Sequence, residues 1–346
     1  MHPLKPFTSK LFVQVSNLRR TLLVLGGISL MALPCASRAA DLPSATHALL
    51  QGNADNAVAQ LKQILASDSS NGQAHLLLCR AYYAQSMASA AVSECTAALR
   101  TLANDSSAQD WAGRAYGMQA ESAGPIAGLR LAFKVRNAFE AAVRINPLNG
   151  DAVNDLSEYY IDAPSIVGGG FEKAALLADR SQPQLPQNAH RMRAMAAEKQ
   201  KDFGTAEREF RAAAAVANQP NAWADLGAFY SRRSQPEKAV EALRRAIALD
   251  RAHDAALVDA ATTLTEINRE PRLAERALRD YLGSQSKSDA APAFKVHVQL
   301  AKLLRNEGNA DDAKIELEHS LELASGYAPA RKELAAIEHE STVAAR

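Results

Sequence analysis

Residues 221–250 read NAWADLGAFYSRRSQPEKAVEALRRAIALD, and this stretch decides the fold. Apolar residues recur at intervals of three and four on both sides of residues 234–236, which predicts two amphipathic helices joined by a short turn. Gly227 and Ala239 are small at the positions where the two helices would cross. A single hairpin cannot bury its own apolar stripe, so the sequence predicts further hairpins stacked on this one.

The same arrangement recurs along the chain at a spacing of about 34 residues. The copies vary in quality, and the weakest are the first, near residues 41–71, and the seventh, around Leu264 and Leu278. The pattern resembles the tetratricopeptide repeat, apart from Leu243 where that family usually has Phe and Arg251 in place of its closing Pro. The residues of the sixth copy that carry the resemblance are Trp223, Leu226, Gly227, Tyr230, Ala239, Leu243 and Ala246.

The resemblance implies an all-α fold, namely a right-handed superhelical solenoid of helix hairpins with about eight repeats. The repeat array would occupy residues 41–327, and the polar-faced segment 328–346 would form a helix that caps the stack. Two inserts depart from the repeat pattern, near residues 117–130 and 163–170. We expect the first insert to lengthen one or both helices of the third hairpin.

The beginning of the chain predicts a secretory signal peptide over residues 1–39. Residues 1–20 are basic, residues 21–33 form an uncharged apolar run, and small residues precede the predicted cleavage site after Ala39. The apolar run is shorter than the roughly 20 residues that a membrane-spanning helix needs, so we expect cleavage and only transient contact with the membrane. The sequence thus predicts an exported, periplasmic protein and leaves open whether the Sec or the twin-arginine route is used.

The charge of the chain argues against nucleic acid as a partner. The 346 residues include 39 basic and 38 acidic side chains, a formal net charge of +1. The predicted signal peptide has basic residues and no acidic one, so the rest of the chain is mildly acidic. Affinity for nucleic acid depends on neutralising phosphates, which a mildly acidic surface does poorly.

Cys79 and Cys95 fall on the two helices of one predicted hairpin, about equally far from its turn. In an exported protein this placement permits a disulfide, and the alternative is a pair of small apolar core residues. His75 shares a helical face with Cys79, but no further ligand follows at a recognisable spacing. We therefore expect no metal, and no cofactor is indicated.

The glycine loop Gly168–Gly170 precedes a predicted helix and invites two readings. Bare N–H groups at a helix start can bind an anion, whereas a structural loop would need these glycines for positive φ angles and close packing. We favour the structural loop, because no Lys, Ser or Thr follows at phosphate-loop spacing. The sequence also has no recognisable nucleophile and base arrangement, so we predict no catalytic residues and no enzyme.

The concave face of such a solenoid is lined by the first helix of each hairpin, and the resemblance implies that a protein or peptide partner binds there. We expect the Arg side chains of this face to contact carboxylates. The alternative for any one residue is an ordinary solvated position. The residues expected to line this face are Arg80, Tyr83, Arg114, Asn154, Glu158, Arg191, Met195, Lys199, Arg232, Lys302 and Arg305.

These features together predict a non-catalytic protein–protein interaction scaffold of the bacterial cell envelope. The first alternative is an accessory or ligand-binding subunit of an envelope transport or polysaccharide-export system, with a small molecule or glycan in the groove. The second alternative is an enzyme that uses the loop Gly168–Gly170.

Overall fold

The computed structural model describes residues 41–344, which form seventeen α-helices and one short 3-10 turn, with no β-strand among them. All of these residues belong to one compact unit, and the predicted signal peptide lies outside them. No helix between residues 41 and 344 is both long enough and apolar enough to cross a bilayer. The helices are α1 (Leu42–Leu50), α2 (Ala54–Ser67), α3 (Gly72–Ala84), α4 (Ala88–Ala98), α5 (Ser106–Glu121), α6 (Pro125–Ile145), α7 (Gly150–Asp162), α8 (Phe171–Ser181), α9 (Pro186–Lys199), α10 (Phe203–Ala217), α11 (Pro220–Arg232), α12 (Pro236–Leu249), α13 (Ala255–Glu266), α14 (Pro271–Gly283), α15 (Ala293–Asn306), α16 (Ala310–Leu323) and α17 (Ala328–Ala344).

Successive helices pair into eight hairpins, from α1 with α2 to α15 with α16, and α17 packs on the last of them. Each hairpin also packs on the next, and the first helices of neighbouring hairpins touch, as α3 touches α5 and α7 touches α9. The prediction of an all-α solenoid of stacked helix hairpins is therefore confirmed.

Capping residues determine where several of the first helices begin. Asn71 and Asn149 accept hydrogen bonds from backbone N–H groups three residues further on, at the starts of α3 and α7. Pro186 and Pro220 occupy the first positions of α9 and α11, where a missing N–H costs nothing. These signals recur with the repeat, so the period of the sequence becomes a period of the structure.

Small residues allow the two helices of a hairpin to approach closely. A Cβ atom added at Gly227 would lie 2.5 Å from Cδ2 of Leu243, and one added at Gly113 would lie 2.4 Å from Cε1 of Phe139. Ala239 is fully buried at the same crossing as Gly227. The glycines therefore mark positions where the facing side chain fills the space that a Cβ would need.

The stack of hairpins curls until its first and last members touch. A Cβ atom added at Gly52, in the turn between α1 and α2, would lie 2.4 Å from the backbone nitrogen of Ala293 at the start of α15. Asp55 of α2 accepts a hydrogen bond of 2.8 Å from the backbone N–H of Ser325, which follows α16. The eight hairpins therefore form a closed turn, which we call the ring.

The two inserts of the sequence lie side by side in the structure. In the region of the first insert, α6 has 21 residues, whereas α4 and α8 have 11 each. The second insert forms the 3-10 turn Ser165–Val167 and the glycine loop before α8. Tyr159 Oη lies 3.0 Å from the carbonyl oxygen of Ala132 and 2.9 Å from that of Val167, which ties the two inserts together.

Candidate binding groove

The concave side of the solenoid holds two clefts. The first, which we call the Trp111 cleft, lies between α3, α5 and α7 and has a volume of about 570 Å³. Trp111 and Tyr83 form its aromatic wall, with ring centroids 5.4 Å apart in an edge-to-face arrangement. Arg114, Asp155 and Glu158 supply charge to the same cleft.

The second cleft, which we call the Arg191 cleft, lies between α7, α9 and α11 and reaches the start of α10. Its volume is about 620 Å³. Met195, Phe203 and Phe210 give it apolar surface, and five cationic side chains face three acidic ones, so positive charge is in excess. The charged residues are Arg191, Lys199, Lys201, Arg232 and Arg233, with Asp162, Glu198 and Asp225.

Most of the residues predicted for the concave face lie at these clefts. Arg80 and Asn154 lie beside them, where Arg80 donates to Asp289 at 2.6 Å and Asn154 accepts from Asn188 at 3.0 Å. The residues that line the clefts are Tyr83, Arg114 and Glu158 in the Trp111 cleft, and Arg191, Met195, Lys199 and Arg232 in the Arg191 cleft.

Lys302 and Arg305 belong to a different part of the molecule. The Nζ of Lys302 lies 3.6 Å from Glu333 of α17. Arg305 donates to Glu333 at 3.0 Å and to Glu340 at 2.9 Å. These two cations hold the C-terminal helix on the last hairpin, and the structure does not bring them to either cleft.

The predicted cations of the groove form ion pairs within the protein. Arg191 lies between Glu158 and Asp225, at 2.9 and 3.1 Å, and so connects α7, α9 and α11. Arg232 makes two contacts of 2.8 Å with Glu198. Each pair joins neighbouring hairpins, so this ion-pair ladder helps to hold the stack together.

Sequence-based prediction placed Glu158 on the concave face but missed the other two acidic members of the ladder, Asp225 and Glu198, although a signal for both exists. Arg191 is 33 residues from Glu158 and 34 from Asp225, and Arg232 is 34 residues from Glu198. This separation is one repeat period. Opposite charges at equivalent positions of consecutive first helices therefore face each other, and a search at that spacing finds them.

The loop at residues 284–292, between α14 and α15, closes one end of the Trp111 cleft. Its Asp289 accepts the hydrogen bond from Arg80, and Asp289 and Lys295 both line the cleft. The guanidinium groups of Arg80 and Arg114 lie 5.4 and 4.6 Å from the centre of the Trp111 ring. Arg80, which we predicted to bind a partner protein, is thus already paired with a residue from the C-terminal half of the chain.

Burial changes the protonation of several carboxyl groups beneath the groove. It raises the pKa of Asp110 to about 7, although Arg114, 3.2 Å away, opposes the rise. It also raises the pKa of Asp259 to about 6 and holds the pKa of Asp225 above its usual value despite the neighbouring Arg191. The groove therefore gains negative charge as the pH rises through neutrality.

We expect Asp110→Asn to remove much of the pH dependence of stability. Because the pKa of Asp110 is higher in the folded protein than the ordinary 3.8, the folded state binds this proton more tightly than the unfolded chain does. The free energy of unfolding should therefore fall as the pH rises from about 4 to about 7, by on the order of 4 kcal/mol.

Urea unfolding at about pH 5 and about pH 8 tests this prediction. The difference between the two pH values should shrink in Asp110→Asn, mainly because the variant gains stability at the higher pH. Asp311→Asn, which removes the same charge from an exposed position on α16, is the control. Equal pH dependence in the wild type and both variants would contradict the prediction.

The structure contains a disulfide between Cys79 of α3 and Cys95 of α4, the pairing for which the sequence left two readings open. Both residues are fully buried in the second hairpin. The bridge therefore ties α3, whose Tyr83 lines the Trp111 cleft, to α4.

The glycine loop Gly168–Gly170 uses its N–H groups internally. They donate in turn to the carbonyl groups of Ser165, Pro164 and Tyr160, at 2.9, 3.2 and 2.8 Å. A Cβ atom at Gly169 would lie 1.8 Å from the carbonyl oxygen of Ala163, and Gly168 has a φ of +96°. These contacts account for the glycines by close packing and positive φ, and they leave the loop no free N–H donors for an anion.

Three histidines that are far apart in the sequence occupy equivalent positions in hairpins two, five and eight. In each case Nδ1 lies 2.6 or 2.7 Å from a Glu carboxylate 19 residues further on, in the second helix of the same hairpin. The pairs are His75 with Glu94, His190 with Glu209 and His297 with Glu316. Within residues 41–344, no group of three or more His, Cys, Asp or Glu side chains is arranged as a metal site.

Comparison with known proteins identifies the repeat. Models of the tetratricopeptide repeat match residues 48–112, 220–253 and 294–327. The structure of yeast Tom70 is similar with a TM-score of 0.50 and 15% identity, over 84% of this chain and 59% of that one. A thermophilic TPR protein of Thermus thermophilus matches with a TM-score of 0.43 and 14% identity, over 65% of this chain and 97% of that one. No curated protein matches the sequence.

The APC/C hetero-tetramer Cut9-Hcn1 also matches, with a TM-score of 0.39 and 13% identity, over 85% of this chain and 54% of that one. This protein thus spans little more than half of the Cut9-Hcn1 and Tom70 chains. The stacked hairpins and the concave groove define the class, an all-helical repeat solenoid. More particularly, the chain contains tetratricopeptide repeats, whose proteins generally act as non-catalytic scaffolds for protein or peptide partners.

Proposed function

We propose that the protein is an exported, non-catalytic scaffold of the bacterial cell envelope that binds an acidic, extended segment of a partner protein in the Arg191 cleft. The observation that carries the proposal is the excess of positive charge in a cleft of about 620 Å³ that also has apolar walls. Lys201 and Arg233 form no ion pair within the described chain, in contrast to Arg191 and Arg232. They supply the charge that the ion-pair ladder does not use.

The geometry of the cleft supports binding without a chemical step. The guanidinium of Arg233 lies 3.4 Å from the centre of the Phe203 ring, a stacking contact that restricts its orientation before a partner arrives. A carboxylate on the partner would receive two parallel hydrogen bonds from such a guanidinium. Met195 and Phe203 would contact apolar side chains that alternate with the acidic ones.

The test is the double variant Lys201→Glu, Arg233→Glu. Both side chains lie outside the ladder, so the fold should persist, whereas reversal of Arg191 or Arg232 would also break contacts between hairpins. Arg251→Glu, which changes an exposed cation in the turn between α12 and α13, is the matched control. Cross-linking in envelope extract should capture a protein partner with the wild type and the control, and not with the double variant.

Two further measurements separate the alternatives. A small molecule or glycan retained by the purified protein in native mass spectrometry, and lost in the double variant, would replace the scaffold proposal by that of a ligand-binding transport subunit. To test whether the protein is exported, residues 1–40 are fused to a reporter enzyme that is active only outside the cytoplasm. An inactive reporter would overturn the envelope location and leave the groove proposal standing.

A further inference from the structure

The two inserts expose apolar side chains that the repeat fold does not need. Ile126 in the first insert and Ile166 in the second are 74% and 75% exposed, the highest values among the large apolar residues of the described chain. Leu129 and Phe133, at 43% and 36%, are also exposed on α6. Isolated exposed apolar residues are ordinary, but four in two adjoining segments are a patch.

The first part of α6 extends away from the core. No side chain from Pro125 to Arg130 is buried, and the core contacts of the helix begin at Leu131. Ile126, Leu129 and Phe133 follow one another at intervals of three and four, so they share one face of the helix. This face is opposite to the one that carries Leu131 and Val135 into the core.

The second insert packs against the flank of this helix. Arg136 Nη1 donates to the carbonyl oxygen of Val167 at 3.4 Å, and a Cβ added at Gly168 would lie 2.5 Å from the same nitrogen. Arg136 also lies over the ring of Phe133, with 5.4 Å between its guanidinium carbon and the ring centroid. These contacts bring the second insert, which carries the exposed Ile166, next to the part of α6 that holds Phe133.

The charge within the two inserts is positive, and the acidic residues Glu121 and Glu172 lie at their borders. Residues 122–139 contain Arg130, Lys134 and Arg136 and no acidic residue, and residues 163–171 contain no charged residue. Glu140, at the edge of the patch, lies 3.8 Å from Arg136 and offsets one of the three positive charges. Arg130 is exposed and forms no ion pair within the described chain.

We propose that this patch, which we call the insert tip (residues 122–137 and 163–168), binds the surface of a membrane that contains anionic phospholipid. Ile126, Leu129, Phe133 and Ile166 would enter the boundary between headgroups and acyl chains. Arg130 would stay at the level of the phosphates, since long cationic side chains bury their stems and keep their charge in water. Lys134, whose Nζ lies 5.2 Å from the centre of the Tyr116 ring, would add positive charge at the flank. The proposal does not depend on what the groove binds.

The shape and charge of the insert tip favour a lipid surface over a protein partner. The apolar residues lie on an outward helix face and not in a groove, so a folded partner would need a matching groove with acidic rims. A bilayer with anionic headgroups accepts a projecting amphipathic helix without any such complementarity. Membrane contact of this kind requires no spanning helix.

The experiment is cosedimentation of the protein, from residue 40 onwards, with vesicles. Vesicles of phosphatidylglycerol and phosphatidylcholine should pellet the wild type, and vesicles of phosphatidylcholine alone should not. Ile126→Ser with Ile166→Ser should weaken partitioning by at least about tenfold, because two apolar side chains no longer leave water. Arg130→Gln should weaken it roughly fivefold, and only on the anionic vesicles.

The double variant Leu148→Ser, Ile315→Ser is the matched control, since it makes the same kind of change at residues that are 54% and 49% exposed outside the insert tip. It should bind vesicles as the wild type does, and circular dichroism should show all variants folded. Equal binding to neutral vesicles, or equal loss in the control, would overturn the proposal. The proposal would also be overturned if the wild type did not bind vesicles but associated with itself, and if Ile126→Ser with Ile166→Ser abolished that self-association. The patch would then be a contact between protein molecules.

Discussion

Reduction of the Cys79–Cys95 disulfide is expected to lower the free energy of unfolding by about 3 kcal/mol. The bridge joins residues separated by 16 positions, and opening it returns conformational freedom to the unfolded chain. Both cysteines are fully buried, so the packing of the hairpin should persist in the reduced folded state. Urea unfolding with and without dithiothreitol measures the loss.

The double variant Cys79→Ala, Cys95→Ala is the control for this experiment. It should unfold at the same urea concentration with and without reductant, near the midpoint of the reduced wild type. The third cysteine of the chain, Cys35, lies within the predicted signal peptide, so protein that begins at residue 40 has no other thiol. An unchanged midpoint in wild type whose two thiols are shown to be free would contradict the prediction.

Gly52→Ala is expected to open the ring and to lower the free energy of unfolding by roughly 3 kcal/mol. Gly52 has a φ of +76°, and an added Cβ would lie 2.4 Å from the nitrogen and 2.8 Å from the Cβ of Ala293. The first hairpin would therefore have to move away from α15. That movement would also break the hydrogen bond between Asp55 and the N–H of Ser325.

Gly308→Ala distinguishes the effect of this contact on stability from the effect of backbone strain alone. Gly308 has a similar φ of +85°, but no atom lies within 4 Å of an added Cβ. Gly308→Ala should lower the free energy of unfolding by about 1 kcal/mol, which is the cost of the left-handed conformation alone. Small-angle scattering should show a larger radius of gyration for Gly52→Ala and an unchanged one for Gly308→Ala. Equal stability losses with identical scattering curves would show that the contact between the first and last hairpins does not hold the ring.

Several residues of the predicted binding face are already paired with other residues of the protein, one of them because the ring closes. Arg80 lies on a first helix, as predicted, but it is bound by Asp289 from the loop between the seventh and eighth hairpins. Arg191 and Arg232 are likewise occupied by acidic residues of neighbouring hairpins. Two cations of the Arg191 cleft, Lys201 and Arg233, have no such partner within residues 41–344. Lys201 lies in a turn and Arg233 follows the last residue of α11, so a prediction restricted to first helices does not find them.

The concave face could be predicted from the sequence only as a set of positions. The repeat pattern assigned Tyr83, Arg114 and Arg191 to first helices, and all three line a cleft. The same reasoning also assigned Lys302 and Arg305, which form ion pairs with Glu333 of α17. A periodic pattern states which side a residue faces, and it does not state what else packs on that side.

The sequence by itself determined the helices, their pairing and the stacking of the hairpins. These depend on local causes: apolar spacing, capping residues, and small residues where helices cross. Only the tertiary structure decided that hairpin one meets hairpin eight, that residues 284–292 close the Trp111 cleft, and that the two inserts form one exposed patch. The physical reason is that curvature adds up small rotations between many neighbouring hairpins, so contacts between distant hairpins follow from the whole stack and from no single repeat.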